Sequence, residues 1–201
     1  MNRGLTAILC FLLSGICPFI PADEASNVQF SGRYGGTCWN LFADNDRLYI
    51  GEGASVRILS LPAEGAPESL GVAPLPDTAT AIHASGDFAV VTAGNSGLRT
   101  LNVADPASPL IAGACALTGF SQDLAVSGNY AFVAAGAGGL RVVNILDPAA
   151  PAEAGFFLLE GQNALGLDHA SGLVFLAETG GLRIVDVSTP SAPAQRSFWA
   201  A

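Results

Sequence analysis

Four arginines, Arg57, Arg99, Arg141 and Arg183, recur at a constant interval of 42 residues. A guanidinium is a planar, permanently charged fork that fits carboxylates and phosphates, so four at a fixed period could ring a bound anion. The plainer use is one salt bridge per repeated unit, with each stem packed on apolar neighbours. A binding site rarely needs the same side chain in every repeat, whereas packing does, and the series reads as scaffold. Pro67, Pro109, Pro151 and Pro193 step by the same interval. Among carboxylates, Asp77 and Asp123 are the pair that could act as general acid and base in a hydrolase. Asp44-Asn45-Asp46 spaces oxygens as a calcium loop does, but lacks the central Gly and a closing bidentate Glu, and reads as a hairpin turn. His83 and His169 have no evident Ser or Cys partner and read as core or turn histidines. Gly-x-Ser-x-Gly, phosphate-loop and His-Glu-x-x-His patterns do not occur. No catalytic, cofactor-binding or metal-ligating residue is expected.

Composition narrows the partners. The 201 residues are 50% hydrophobic and 12% charged, with net charge −9 and no lysine. That much apolar surface can offset chain entropy and excludes a disordered tail. Nucleic acid and anionic membrane surfaces need clustered cations, and the eight arginines are scattered. Neither is an expected partner.

Residues 1–22 read as an export signal, with cleavage as late as residue 25. Arg3 supplies the positive start, Leu5 to Ile20 is apolar, and Pro18 and Pro21 break the run. It is too short and interrupted for a membrane span; an uncleaved anchor is the alternative. Leu13-Ser14-Gly15-Ile16-Cys17 is a degraded lipoprotein box, with Ile16 where a small residue belongs. Removal of this segment takes Cys10 and Cys17 with it. Cys38 and Cys115, 77 residues apart, are expected as small buried hydrophobes rather than a disulfide. The sulfurs and imidazoles show no zinc spacing.

The period then fixes the elements. Repeats run about 38–78, 79–120, 121–162 and 163–201, within a domain over 26–201. A period near 42 fits either propeller blades or paired helices. Each copy holds four short apolar runs divided by turn residues; in the third these are Leu124–Val126, Tyr130–Ala134, Leu140–Ile145 and Ala154–Leu159. Four strands per repeat is a propeller blade. Ser85-Gly86-Asp87 and Ser127-Gly128-Asn129 supply hairpin turns, with Asp44-Asn45-Asp46 and His169 to Gly172 in the same slot. Asn102, Asn144 and Asp186, with Ser60 in the first copy, follow each arginine by three residues and read as turn partners. The periodic prolines open each fourth strand, where a missing N–H is tolerated because that strand is an edge. The expected fold is all-β and β-propeller-like: four four-stranded blades of about 42 residues, forming either a partial arc or a small closed ring.

Gly-Leu-Arg-Val-Val-Asn, followed by Asp-Pro-Ala-x-Pro and preceded by Val-Ser-Gly-Asn-Tyr-Ala, resembles the LVIVD repeat. The resemblance covers nearly all of the chain after its leader. It is strongest in the second and third copies, clear at Gly181–Ser188, and weaker at Ser55–Ser60. It implies a β-propeller exported by a bacterium or archaeon; it implies no reaction, because the family has no established common activity.

Val28 to Tyr34 resembles an additional fourth strand, one more than a tidy four-blade ring needs; hence an arc from a larger propeller, completed by self-association through open blade edges or truncated, stands beside the closed ring. Propellers bind through one rim, made by the loops before strand one and between strands two and three. These hold Asp77, Thr78, Gln122, Asp123, Gln162 and Asn163, with Glu52, Asn95 and Glu178; Trp199 is the exposed-aromatic candidate. The expected function is a noncatalytic interaction module, secreted, periplasmic or at the cell surface, with a protein or polysaccharide partner. The alternatives are a fragment of a larger LVIVD-repeat protein and a hydrolase using mouth carboxylates.

Overall fold

A computed structural model of the chain describes residue 38 and residues 40–63 and 65–201. The leader, Cys10, Cys17 and the Val28–Tyr34 segment lie outside the described residues. Among the described residues every element is a strand, in four antiparallel sheets of four, each in simple up-and-down order. Sheet one contains β1 (Asn40–Asp44), β2 (Arg47–Gly51), β3 (Ser55–Ser60) and β4 (Ser69–Pro74). Sheet two contains β5 (Ala79–Ser85), β6 (Phe88–Ala93), β7 (Leu98–Asn102) and β8 (Leu110–Cys115). Sheet three contains β9 (Asp123–Ser127), β10 (Tyr130–Ala134), β11 (Leu140–Asn144) and β12 (Ala152–Phe157). Sheet four contains β13 (Ala164–Ala170), β14 (Leu173–Glu178), β15 (Gly181–Asp186) and β16 (Ala194–Ala200).

The local chemistry explains these boundaries. The β1–β2, β5–β6, β9–β10 and β13–β14 hairpins turn through positive-φ residues, Asn45, Gly86, Gly128 and Ser171-Gly172. Strand three of each sheet ends where a side chain folds back on the chain. Asn102 Oδ1 accepts from the Ala104 amide, Asn144 Oδ1 from Leu146, and Asp186 Oδ1 from Ser188. In sheet one the Ser60 hydroxyl accepts from the Glu68 amide. Each of these stops the strand before the Pro-containing turn that leads to strand four.

The sheets stack face to face through three apolar seams. Tyr49, Val56 and Ile58 of sheet one meet Ile82 and Val91 of sheet two. Val90, Leu98 and Cys115 of sheet two meet Leu124, Val133 and Val143 of sheet three. Phe132, Leu140 and Val142 of sheet three meet Val174, Leu176 and Val185 of sheet four. The innermost strands β1, β5, β9 and β13 stand side by side in that order. Among the described residues no comparable seam joins sheet four back to sheet one. The described residues thus form an arc of four propeller-like blades.

The outer part of each seam is closed by a turn that seats on a glycine. A Cβ on Gly71 of β4 would run into the Pro106 carbonyl and stand 3.0 Å from Pro109 Cδ. One on Gly113 of β8 would meet the Pro148 carbonyl, with Pro151 Cδ at 2.6 Å; one on Gly155 of β12 would meet Pro190 and Ser191. Pro109 and Pro151, with the Pro106, Pro148 and Pro190 carbonyls of the preceding turns, thus pack on the preceding sheet, a role beyond opening strand four. At the same position of sheet four stands Ser197, exposed and with no sheet following it.

Gly113→Ala is expected to destabilise by about 1–3 kcal/mol, the range for overpacking a close contact, read as a fall in thermal midpoint. Ser197→Gly, at the unfollowed position, is expected to move the midpoint far less. Equal shifts would contradict the clasp.

Candidate binding rim

The side chains at the rim divide into those that hold the sheets together and those left facing outward. Asp77, in the connection from sheet one to sheet two, accepts at Oδ1 from the Thr78 amide (2.7 Å) and at Oδ2 from the Asn95 amide (2.9 Å). These bonds to the charged form hold its carboxyl below the usual carboxylate range. Asp123 accepts at Oδ1 from the Leu124 amide and at Oδ2 from the Leu167 amide in β13, both at 2.9 Å. Equivalent ties join the other inner strands: Asn40 Nδ2 donates to the Ala79 carbonyl at 2.6 Å, and the Thr80 hydroxyl donates to the Ser121 carbonyl at 2.6 Å. Gln162 Oε1 accepts from the Thr179 hydroxyl, whose oxygen accepts in turn from the Asn163 amide.

What faces outward lies between sheets two and three. Thr78, Thr80, Phe120 and Gln122 line a shallow depression of about 350 Å³. The Phe120 ring and the Asp77 carboxylate approach the same point above Gly94, and Gln122 reaches over Gly136. Of the rim residues expected from sequence, Thr78 and Gln122 line this depression, with Asp77 beside it above Gly94. Asp123 sits toward sheet four, and Gln162 and Asn163 belong to the next connection. Phe120, 40% exposed, was not expected. Its only signal was its place two residues before Gln122, in a connection whose other large apolar residue, Leu117, is buried.

The four arginines do not converge. Each stands in the third strand of its own sheet with its own partners. Arg57 Nε pairs with Glu52 at 2.9 Å. Arg99 donates to the Ser96 and Leu98 carbonyls. Arg141, almost fully buried, pairs with Glu153 at 3.1 Å and lies over the Phe156 ring at 5.1 Å. Arg183 makes a two-pronged pair with Glu178, at 2.9 and 2.7 Å, contacts Gln195 and stacks on Phe198. Glu52 and Glu178 are thus arginine partners rather than rim groups. The repeated salt bridge expected from the spacing recurs in the first and fourth copies, where the acid stands five residues before the arginine, while Arg141 uses an acid of the next strand and Arg99 backbone carbonyls.

Both histidines lie against aromatic rings. His83 is 4.6 Å from Phe42 of sheet one, and burial lowers its pKa; His169 stacks on Phe132 of sheet three at 4.8 Å. Cys38 precedes β1, its thiol donating to the Asn40 carbonyl at 3.3 Å, and Cys115 ends β8, with burial pushing the Cys115 thiol up. Asp44-Asn45-Asp46 forms the β1–β2 turn.

Comparison with known families now has a geometry to attach to. The family model described as "LVIVD repeat" matches residues 77–116, 118–158 and 172–197, more than half of the chain. The chain belongs to the LVIVD-repeat family. Among solved structures it is similar to two computationally designed proteins. Ika8 matches at TM-score 0.64 and 12% identity, over 81% of this chain and 48% of Ika8. Ika4 matches at TM-score 0.61 and 14% identity, over 76% of this chain and 92% of Ika4. At such identities the likeness concerns the fold alone. This LVIVD-repeat chain spans about half the length of Ika8. No curated protein matches it.

The arginine assignment predicts that Arg141→Ala empties a nearly buried site and removes the packing of the stem and guanidinium beside Phe156, lowering stability by about 2 kcal/mol. A thermal melt several degrees lower is the expected reading. An unchanged melt accompanied by lost binding of a carboxylate or phosphate ligand would reverse it.

Proposed function

We propose that this LVIVD-repeat chain is a noncatalytic, exported propeller module that binds a protein through the rim between its second and third sheets. One observation carries the reading. The carboxylates at the rim have both oxygens engaged by backbone amides, while Phe120, with Thr78, Thr80 and Gln122, borders the depression beside them. A general acid or base must exchange a proton near neutral pH. Asp77, held ionised by two amides, is poorly matched to that task, and each oxygen of Asp123 spans a different backbone element. A partly exposed aromatic ring flanked by hydroxyls and an amide offers what a protein contact uses: apolar area ringed by hydrogen-bonding groups. Lone aromatic character and the absence of clustered cations favour a neutral or basic protein surface over an acidic one. Export is supported by the sequence of residues 1–22, with Arg3 followed by an apolar run.

Site-specific photo-crosslinking tests this. A photoreactive residue replacing Phe120 is expected to capture one envelope or secreted protein from intact cells. The same residue replacing Phe88, exposed at the opposite end of sheet two, is expected not to. Adducts of equal yield from both positions, or a chain retained in the cytoplasm, would contradict the proposal.

A further inference from the structure

The far face of sheet four carries side chains that the other sheets bury. Antiparallel partners share a face, so Gly166, Ala177, Leu182 and Trp199 form one row across it, and Asp168, Phe175, Ile184 and Ser197 the next. The residues matching Leu182 in the first three sheets, Val56, Leu98 and Leu140, are fully buried against the following sheet; Leu182 is 36% exposed. Trp199, 71% exposed, stands where sheets one and two have the buried Ala73 and Cys115.

One substitution argues that the cover is not a further blade in the repeat's own geometry. Ser197 replaces the glycine on which each following Pro-containing turn seats. The outward face at the other end of the arc is not open either, since Leu48, Ile50 and Leu59 are buried. A head-to-tail chain of copies, with sheet four on sheet one, therefore has no free second surface.

The exposed face is complementary to itself. Its first row descends in size from Trp199 through Leu182 and Ala177 to Gly166. We propose that it binds its own counterpart on a second copy of the chain, about a two-fold axis parallel to the strands. That axis lays β16 of each copy across β13 of the other. Each Trp199 then stands over Gly166 and each Leu182 over Ala177, so two opposed wedges meet at an even spacing. In the second row Phe175 faces Ile184, and the Ser197 hydroxyl faces the Asp168 carboxylate as a donor. Asp186, at the lower end of the face, is already held by Ser188 and Arg196. Isologous two-fold contact is the commonest form of self-association. A four-stranded face of this length is roughly 20 Å on a side, about 400 Å² of plane per copy, so the dimer belongs at the small, reversible end of specific interfaces.

Sedimentation of the full chain tests the proposal. The apparent mass is expected to rise from one chain to two across the micromolar range. Trp199→Arg, on an exposed side chain, is expected to weaken association at least about tenfold with an unchanged circular dichroism spectrum and melt. Oxidising a mixture of Asp168→Cys and Ser197→Cys chains is expected to join the two variants in preference to either with itself. A single-chain mass at every concentration, or a dimer indifferent to Trp199→Arg, would overturn it. Preferential coupling of Ser197→Cys to itself would also do so, because it requires a different axis.

Discussion

Each sheet after the first is located by a turn that seats on a backbone position with no side chain. Gly71, Gly113 and Gly155 let a carbonyl of the next repeat approach closer than any Cβ would allow, and Pro109 and Pro151 press on the same spots of the first two. The contact lies at the outer end of each sheet-to-sheet seam. At the inner end Asn40 and Asp123 bond to the backbone of the next inner strand, and Thr80 to that of Ser121 just before it. Between these fixed ends the apolar side chains of both faces interdigitate at sheet-packing distance. The blades are therefore held at both margins and along the middle, and most polar groups near the rim are spent on that task.

This constraint separates structural residues from available ones. Asp77, Asp123, Glu52 and Glu178 look like a ring of acids in sequence, yet each is engaged by an amide or a guanidinium. Phe120 is not so engaged, and it lies in a connection rather than a strand. Connections answer to fewer packing demands than the strands they join.

The sequence made the strands, hairpins and four-fold period legible because each rests on local chemistry: alternation, positive-φ turn residues and Asx-type stops. Asn102, Asn144 and Asp186 were readable as turn partners for that reason. The prolines were readable only in part, since their packing on the preceding sheet depends on residues about 38 positions earlier in the chain, as with Pro109 and Gly71. The arginines were rightly placed on the scaffold, but their partners were not: Glu153 lies on the neighbouring strand and Glu178 on the preceding one, a choice made by which acid each repeat happens to carry. Whether the arc closes was not legible at all. That depends on which faces meet, and Leu182 is as apolar as Leu140 while the two have opposite environments.

The central claim is that burial at a given repeat position is set by the sheet that follows. Thiol labelling of dilute, folded protein carrying Leu182→Cys or Leu140→Cys measures it directly, with native Cys115 as the buried reference. Rapid modification at position 182, alongside protection at 140 comparable with Cys115, is the predicted result. Equal protection at 182 and 140 would mean that a fourth seam exists and the arc is closed.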